Sequence, residues 1–326
     1  MTLTQLRYLV AIVDAGLNIT LAADRVHATQ PGLSKQLKQL EDELGFQLFV
    51  RRGRSLESVA PAGERVIEHA RRILEEAANI QSYAANERGE HAGRLLLATT
   101  HTQARYVLPP VIAEIKRRYP QVSVDLQPAG DAEVLDQLDG ADLALISTPG
   151  PKPNGGLAVP LYRWHRVLLV QASHPLAALD RAPTLAELAG HPLISYESST
   201  RSDSSLQRAF AGAGETPQLA MTARDANLIK TYVRAGLGAG LLAEMAVGAH
   251  EDEGLRLLQA PAEIPECITW AVIPRGRVLR DYALELLHVL APQIDKRDLR
   301  KVIEGNLEAN WPTPPTWTEL SQPITV

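Results

Sequence analysis

The feature that most constrains the fold is an amphipathic helix that begins sharply after residue 28. Thr29 is a good N-cap, and Pro31 falls in the first turn, where its missing N–H costs nothing. The apolar residues that follow are spaced 4, 3 and 4 apart: Leu33, Leu37, Leu40 and Leu44. This stripe predicts one buried face. The opposite face of the first turns presents amide, hydroxyl and ammonium groups: Gln30, Ser34, Lys35 and Lys38.

Two shorter helices are predicted before this one. The first has apolar residues at helical spacing and ends at Gly16, and the second runs from the cap candidates Asn18 and Thr20 to about His27. Two short helices joined by a tight turn, the second with a polar amino end, are what a helix-turn-helix needs to enter a major groove. Glutamine can pair with adenine, lysine with guanine and serine with either, and the helix N-terminus favours phosphate.

The segment LFVRRGRSLESV contains two β-prone runs around Gly53, which predict a β-hairpin wing. Three cations lie at its tip: Arg51, Arg52 and Arg54. Beside a recognition helix, such cations would bind backbone phosphates and add affinity without reading sequence. The alternative is that the third helix packs in a bundle and its polar face is only solvated. The turn, the wing and the arginines together favour a winged helix-turn-helix over residues 1–60.

Charge distribution agrees with this assignment. The 326 residues have a net charge of −5, which excludes a uniformly basic nucleic-acid coat, and the length predicts about two domains at roughly 150 residues each. Residues 1–72 contain ten Lys and Arg against eight Asp and Glu, whereas the rest of the chain contains 23 against 30. The amino-terminal part is therefore the more basic one.

Pro61 begins a long helix predicted to run to about Glu87, on the order of 40 Å at 1.5 Å per residue. Its apolar positions form a heptad seam: Val66, Ala70, Ile73, Ala77, Ile80 and Ala84. A self-complementary seam predicts a dimer that would read two half-sites. The alternative is that the stripe packs on its own chain. The polar segment ERGEHAG predicts a hinge at the end of this linker, residues 61–90.

Residues 91–295 alternate β-like runs with helices in βαβαβ order, which is typical of a mainly parallel sheet. A second unit begins near Trp164, and a strand at 268–273 returns to the first. The fold class predicted is therefore α/β, with two lobes like those of periplasmic binding proteins and a cleft between them. Lobe I covers about 91–163 and 268–295, and lobe II about 164–267. The glycines at 236, 238 and 240 follow a helix and precede a strand, which favours close packing over a dinucleotide site.

Three hydroxyl-rich clusters follow predicted strands. They are Thr99 to Gln103, then Ser147 with Thr148, and finally Ser198 to Ser202. Hydroxyls and backbone N–H groups at such positions bind oxyanions. Each cluster alone is also explained as a capping turn. Three clusters in equivalent positions predict a small-anion site.

Other classes of protein are disfavoured by what the sequence lacks. It has no GxxxxGK[ST], HExxH or GxSxG motif. No nucleophile, base and orienting residue stand together in the sequence, so an amidohydrolase or transferase is disfavoured and no catalytic residue is assigned. Cys267 is the only cysteine and no Cys/His cluster has zinc spacing, so we expect a reducing cytosol and no structural metal or cofactor. The polar amino terminus disfavours a secreted solute-binding protein. No stretch approaches the ~20 apolar residues that a membrane span needs, so no span is predicted.

The run NITLAADRVHATQPGLSKQLKQLEDELGFQLFVRRGR followed by PAGE resembles the winged helix-turn-helix of the LysR-type transcriptional regulators. In that family the residues matching Thr29, Gln30, Pro31, Ser34 and Lys35 lie at the DNA surface, and the wing arginines contact the backbone. The segments TTHTQARYVLP, LYRWHRVLLV and LIKTYVRAGLGAGLLAEMAV resemble the CysB-like branch, which includes Cbl. There the matched anion ligands would be Thr100, Thr102 and Gln103, with Ser147 or Thr148, Ser199 or Thr200, and Trp164 near the cleft.

The resemblance implies a cytoplasmic activator of sulfur assimilation and cysteine biosynthesis that binds promoter DNA and engages RNA polymerase. It implies acetylserine as inducer, with sulfate or thiosulfate as related ligands, and a homodimer or a dimer of dimers, that is, a homotetramer. A Cbl-like regulator of sulfonate use, or one that senses another carboxylate, stays open. Arg224 and Asn227 depart from the branch, which has a threonine and an acidic residue there. Residues 296–326 predict a charged helix and a tail that either packs on a lobe or is disordered.

Overall fold

The computed structural model describes residues 1–53, 55–248 and 252–321. The chain forms two compact units, Met1–Arg88 and Gly89–Val326, called here the N-terminal and C-terminal units. The first contains the helix-turn-helix and the second the two-lobed α/β fold, so both parts of the predicted fold class are confirmed.

The N-terminal unit begins with α1 (Leu3–Asp14), α2 (Ile19–Arg25) and α3 (Gln30–Leu44). The Asn18 side chain caps α2 by accepting the N–H of Leu21, and Thr29 caps α3 in the same way. His27 has a left-handed φ of 53°, which closes the tight turn between the two helices. Three leucines of the α3 stripe belong to the core of the unit: Leu33, Leu37 and Leu40.

The wing is an antiparallel pair, β1 (Phe49–Arg52) and β2 (Ser55–Val59), with a bulge between Val50 and Arg51. It is followed by α4 (Pro61–Glu87), a helix of 27 residues. A Cβ atom on Gly63 would lie 2.2 Å from the carbonyl oxygen of Leu48. The start of α4 therefore packs directly on the backbone before β1, which only glycine permits.

The strands of the C-terminal unit are β3 (Gly93–Thr100), β4 (Val122–Ala129), β5 (Leu143–Thr148), β6 (Leu157–Trp164), β7 (Arg166–Gln171), β8 (Leu193–Tyr196), β9 (Leu219–Ala223), β10 (Ala239–Ala243), β11 (Leu255–Gln259) and β12 (Cys267–Ile273). Its α-helices are α5 (Leu108–Arg118), α6 (Leu185–Ala189), α7 (Ser205–Gly212), α8 (Ala226–Arg234), α9 (Asp281–Leu290), α10 (Lys296–Ile303) and α11 (Trp317–Ser321). One π-helical turn, Gln103–Val107, leads into α5.

Lobe I is built on a sheet of order β4-β3-β5-β12-β6, in which β3 pairs in parallel with β4 and β5, and β12 pairs antiparallel with β5 and β6. Lobe II has the order β11-β7-β10-β8-β9, with β8 parallel to β9 and β10, and β7 antiparallel to β10 and β11. The chain passes between the lobes at His165, between β6 and β7, and again between β11 and β12. The two passages join the lobes at one side of a cleft.

Two strands are not predicted by the sequence patterns. The first, β6, contains Pro160, which usually excludes a strand interior and is tolerated here because β6 is an edge strand with a register shift opposite Thr269 and Trp270. The second, β11, is the exposed edge of lobe II. The glycine prediction is confirmed at two of its three positions: a Cβ on Gly238 would lie 2.1 Å from the carbonyl oxygen of Pro192, and one on Gly240 would lie 2.6 Å from the Val233 side chain, whereas Gly236 has no such close neighbour.

The described part of the carboxyl-terminal tail packs along β6. The Arg163 N–H donates to the carbonyl oxygen of Pro315 at 2.8 Å, and the indole N–H of Trp311 donates to that of Ala158 at 2.9 Å. The ring of Trp317 lies 5.4 Å from that of Tyr162. The tail thus covers the outer edge of the lobe I sheet as far as residue 321.

Candidate functional site

The first candidate surface is the amino end of α3. The Thr29 hydroxyl accepts the N–H of Gly32 at 3.3 Å, which fixes the helix start. A Cβ on Gly32 would approach the Thr29 hydroxyl oxygen to 2.9 Å, so the glycine leaves room for this cap. The predicted DNA-contacting side chains are exposed, apart from the half-buried Ser34: Thr29, Gln30, Pro31, Ser34, Lys35 and Lys38. Their base contacts stay a prediction.

The wing arginines have different surroundings. Arg52 is exposed, with its guanidinium 4.0 Å from the carboxylate of Glu57. Arg51 instead donates to the buried carboxylate of Glu41 at 2.9 Å, and the other oxygen of Glu41 accepts the N–H of Leu48. Arg51 therefore anchors the wing to α3, a role that the sequence reasoning missed. Arg54 lies outside the described residues.

The seam predicted on α4 is divided between two environments. Its first residues, Val66 and Ala70, pack in the core of the N-terminal unit, so at these positions the own-chain alternative is correct. Farther along, Ile73 is 39% and Ile80 70% exposed, and Tyr83 is exposed beside them. We call these last three residues the α4 apolar face. It is a large uncovered hydrophobic strip, the feature expected of a surface that another chain covers.

The second candidate site is a cavity of about 710 Å³ between the lobes of the C-terminal unit, within the size range of small-molecule sites. The ends of β3, β5 and β6 form its lobe I wall, and the turn after β8 and the start of β7 form its lobe II wall. Seven of the eight predicted effector-binding residues line it: Thr100, Thr102, Gln103, Ser147, Thr148, Trp164 and Ser199. Thr200 does not, because its hydroxyl donates to the carbonyl oxygen of Glu197 within an exposed 3-10 turn.

The amide of Gln103 is fixed at the base of the cavity. Its side-chain oxygen accepts from the hydroxyl of Tyr162, and its Nε2 lies 3.5 Å from the Ser147 hydroxyl and 3.4 Å from that of Thr269. The indole of Trp164 donates to Thr269 at 3.0 Å, which completes a connected network. Burial raises the pKa of Tyr162, so its hydroxyl stays protonated and donating.

Tyr196 links the two lobes across the cavity. Its hydroxyl oxygen lies 3.4 Å from the Thr102 hydroxyl and accepts the N–H of Ala243 at 3.2 Å. Burial raises the pKa of Tyr196 to about 12, so the phenol is neutral. At the cavity rim, Arg224 of lobe II lies 3.1 Å from Glu197 and 3.6 Å from Glu133 of lobe I. The cleft walls are thus held by contacts that a change in lobe spacing would break.

Sequence reasoning missed the charged residues of the cavity, above all Arg166 and Asp131. Desolvation raises the pKa of Asp131, and the Ser198 hydroxyl and the charges of Arg166 and Arg201 oppose that shift. Arg166 lies two residues after Trp164, in the segment LYRWHRVLLV. Its nearness to a predicted cavity residue was therefore a usable signal. Asp131 follows β4 with no pattern that marks it.

Metal sites and membrane-spanning helices are absent from the part of the chain that the structure describes. Within 1–53, 55–248 and 252–321, no group of three His, Cys, Asp or Glu side chains is placed to hold a metal ion. In the same residues, no helix has the length and apolar character to cross a membrane.

Both units of the chain match models of known protein families. Residues 3–64 match the bacterial regulatory helix-turn-helix protein of the lysR family, and residues 88–294 match the LysR substrate binding domain. The chain belongs to the LysR family of transcriptional regulators. It is therefore a regulator and not an enzyme, and proteins of this family bind promoter DNA and small effector molecules.

Two similar relatives are transcriptional regulators named CysB. The protein of Haemophilus influenzae is 38% identical over 319 residues, covering 94% of this chain and 98% of the relative. That of Burkholderia cenocepacia is 34% identical over 312 residues, covering 95% and 99%. Among solved structures, the cofactor-binding domain of the Cbl transcriptional regulator matches with a TM-score of 0.60 and 33% identity, over 66% of this chain and 95% of that one. The predicted resemblance to the CysB-like branch is confirmed.

Proposed function

We propose that this LysR-family regulator controls genes of sulfur assimilation and cysteine biosynthesis, chiefly as an activator that engages RNA polymerase. The observation that carries the proposal is the cavity in which Thr100, Thr102, Gln103 and Ser147 converge, in a chain similar to CysB over most of its length. The effector we propose is a small anion such as acetylserine, sulfate or thiosulfate. Its oxygens would replace the long contacts of 3.4–3.5 Å that these side chains now make.

DNA recognition is assigned to the exposed end of α3. Gln30, Ser34 and Lys35 would contact base edges, while Thr29, Pro31 and Lys38 would lie at the DNA surface beside them. Arg52 would contact phosphate from the wing. Arg51 would contribute less, because its guanidinium is already paired with Glu41.

The working form of the regulator is proposed to be a homodimer joined through the α4 apolar face, or a dimer of dimers. Burial of Ile73 and Ile80 against a second copy would remove apolar surface from water. A two-fold dimer would place two α3 helices on two half-sites, and effector binding would alter the spacing that they fit.

The proposal is tested by mapping genomic binding of the full-length regulator in cells grown on sulfate and on cysteine. We expect protected sites upstream of sulfate-uptake and cysteine-biosynthesis genes, with occupancy or transcription that depends on the sulfur source. Sites confined to unrelated operons would contradict the sulfur assignment. Purified full-length protein is then titrated with acetylserine, sulfate and thiosulfate, with and without the promoter found.

Two variants separate the sites. Lys35→Ala should weaken promoter binding and leave effector binding unchanged, whereas Thr102→Ala should abolish the effector response and leave DNA binding unchanged. Lys301→Ala, the same change of charge on the exposed α10 of the C-terminal unit, serves as the control for Lys35→Ala. Equal loss of both activities in either test variant would contradict the assignment of one activity to each site.

A second candidate function is regulation of sulfonate use, or sensing of another carboxylate. It is favoured by the match to the Cbl domain over 66% of this chain and by Arg224, the departure from the CysB-like pattern that lies on the cavity rim. The genomic map distinguishes the two functions, because sites upstream of sulfonate-uptake genes without sites at cysteine-biosynthesis genes would establish the second.

A further inference from the structure

One arginine in the cavity wall has no ion-pair partner within 4 Å among the described residues. Arg166, the first residue of β7, lines the cavity. Its Nε and Nη1 atoms are shielded from solvent, and neither has a hydrogen-bond partner in the described part of the chain. A buried cation is costly unless an anion compensates it. The charge of Asp131, in the same cavity, acts on Arg166 but leaves these two donors without an acceptor, so an anion can still bind them.

The other cations of the cavity differ from Arg166. Arg201 lies 2.9 Å from the carboxylate of Asp203, and Arg224 lies 3.1 Å from that of Glu197, so each has its own counter-charge. Lys152 and Arg208 are exposed, and water can solvate their charges. Among the cavity cations described, only Arg166 has donor atoms that are shielded from solvent and have no hydrogen-bond partner.

The position of Arg166 connects it to the hydroxyl cluster. Its guanidinium carbon lies 5.9 Å from the centre of the Trp164 ring, and the Trp164 indole donates to Thr269 at 3.0 Å and to Ser147 at 3.3 Å. The aromatic ring fixes the guanidinium beside the neutral donors. An effector in contact with the hydroxyl cluster would thus lie within the electrostatic reach of Arg166.

We infer that Arg166 is the specificity-determining residue that makes a full negative charge a requirement for the effector, so that acids are accepted and their neutral analogues rejected. This inference deepens the proposed effector function and rests on it. Hydroxyl and amide groups such as Thr102 and Gln103 can bind neutral oxygens as well as charged ones, so they do not impose this requirement by themselves. The guanidinium does, because a neutral ligand would leave its shielded Nε and Nη1 donors without a charged acceptor.

The test is calorimetric titration of the full-length protein with N-acetylserine, which is a monoanion, and with its neutral methyl ester. Wild type should bind the acid at least about tenfold more tightly than the ester, the size expected for one charge-assisted interaction. In Arg166→Gln the affinity for the acid should fall about tenfold or more while the affinity for the ester stays within about twofold. Arg201→Gln is the matched control in the same cavity, and its affinity for the acid should change less than about threefold because Asp203 already pairs with that arginine.

If Arg166→Gln does not fold, Arg166→Met decides the question. It keeps a long side chain but removes the charge, so the ratio of acid to ester affinity should fall about tenfold or more. An unchanged ratio in the variant, or equal affinity of wild type for acid and ester, would overturn the role of Arg166 and leave the proposed effector function standing. If wild type bound neither compound, nor sulfate nor thiosulfate, while promoter binding was intact, the proposed effector class would fail and this inference with it.

Discussion

Removal of a single hydroxyl, in Tyr162→Phe, tests how the base of the effector cavity is held. Tyr162 is fully buried, and its hydroxyl donates to the side-chain oxygen of Gln103, which is itself 2% exposed. The substitution keeps the ring and its contact with Trp317 but leaves that oxygen without its donor. A buried acceptor left unsatisfied costs about 1–3 kcal/mol. The Nε2 contacts of Gln103, at 3.4 and 3.5 Å, are too long to offset the loss.

The assay is urea unfolding of the full chain followed by tryptophan fluorescence. All four tryptophans lie in the C-terminal unit, so the signal reports the unfolding of this unit alone. We expect Tyr162→Phe to lower the free energy of unfolding by about 1–3 kcal/mol with an unchanged denaturant slope. Tyr232→Phe makes the same chemical change in the C-terminal unit, at a half-buried position of α8 whose hydroxyl has no hydrogen-bond partner among the described residues, and it should stay within about 0.5 kcal/mol of wild type.

A loss below about 0.5 kcal/mol in Tyr162→Phe would refute this account of the cavity base. The double variant Tyr162→Phe, Gln103→Leu provides a second check, since it removes both partners of the buried hydrogen bond. It should be less destabilised than the sum of the two single variants. Strict additivity would show that the two side chains do not depend on each other.

Three further predictions follow from the structure. Because desolvation raises the pKa of Asp131, this carboxyl gains its proton at a higher pH than an ordinary aspartate. A protonated Asp131 no longer repels an anion, so the affinity for acetylserine should rise as the pH falls through that pKa. The pH dependence should vanish in Asp131→Asn, and the same pH profile of both proteins in calorimetry would contradict this. If the proposed dimer forms, Ile80→Asp should convert it to a monomer in sedimentation experiments, whereas Glu87→Asp should not. An unchanged mass in Ile80→Asp would exclude the α4 apolar face as the interface. Gly63→Ala should destabilise the N-terminal unit by about 1–3 kcal/mol in circular dichroism melts, because the new Cβ meets the Leu48 carbonyl. Gly212→Ala, where the added Cβ meets open space, is the control. Equal melting temperatures of the two variants would contradict the packing argument.

The local features of the N-terminal unit could be predicted because they depend on neighbours in sequence. The cap at Thr29, the leucine stripe of α3 and the hairpin around Gly53 each follow from residues a few positions apart. The role of Arg51 could not, because its partner Glu41 is a buried acid on α3 and acids are rarely buried. The heptad pattern on α4 likewise shows a continuous stripe, but it does not show that Val66 packs within the chain while Ile80 is uncovered.

In the C-terminal unit, hydroxyl clusters at strand ends were sufficient to find the cavity, since strand ends meet at one edge of a parallel sheet. The residues that fix those hydroxyls were not found. Tyr162 lies on β6, which the sequence pattern does not predict. The return of the strand at 268–273 was predicted, but its place between β5 and β6, which brings Thr269 to the cluster, was not. Such contacts depend on the order of strands, which residue spacing does not encode.

The tail that covers β6 has a practical consequence for anyone who shortens this protein. A strand at the end of a sheet exposes unpaired backbone groups that can join a strand of another molecule. Pro314 and Pro315 occupy that position here through their carbonyl oxygens, and, having no N–H of their own, they offer no donor for a further strand. A chain cut after α10 would lose this protection, and it would be prone to aggregate through the exposed edge of β6 during purification.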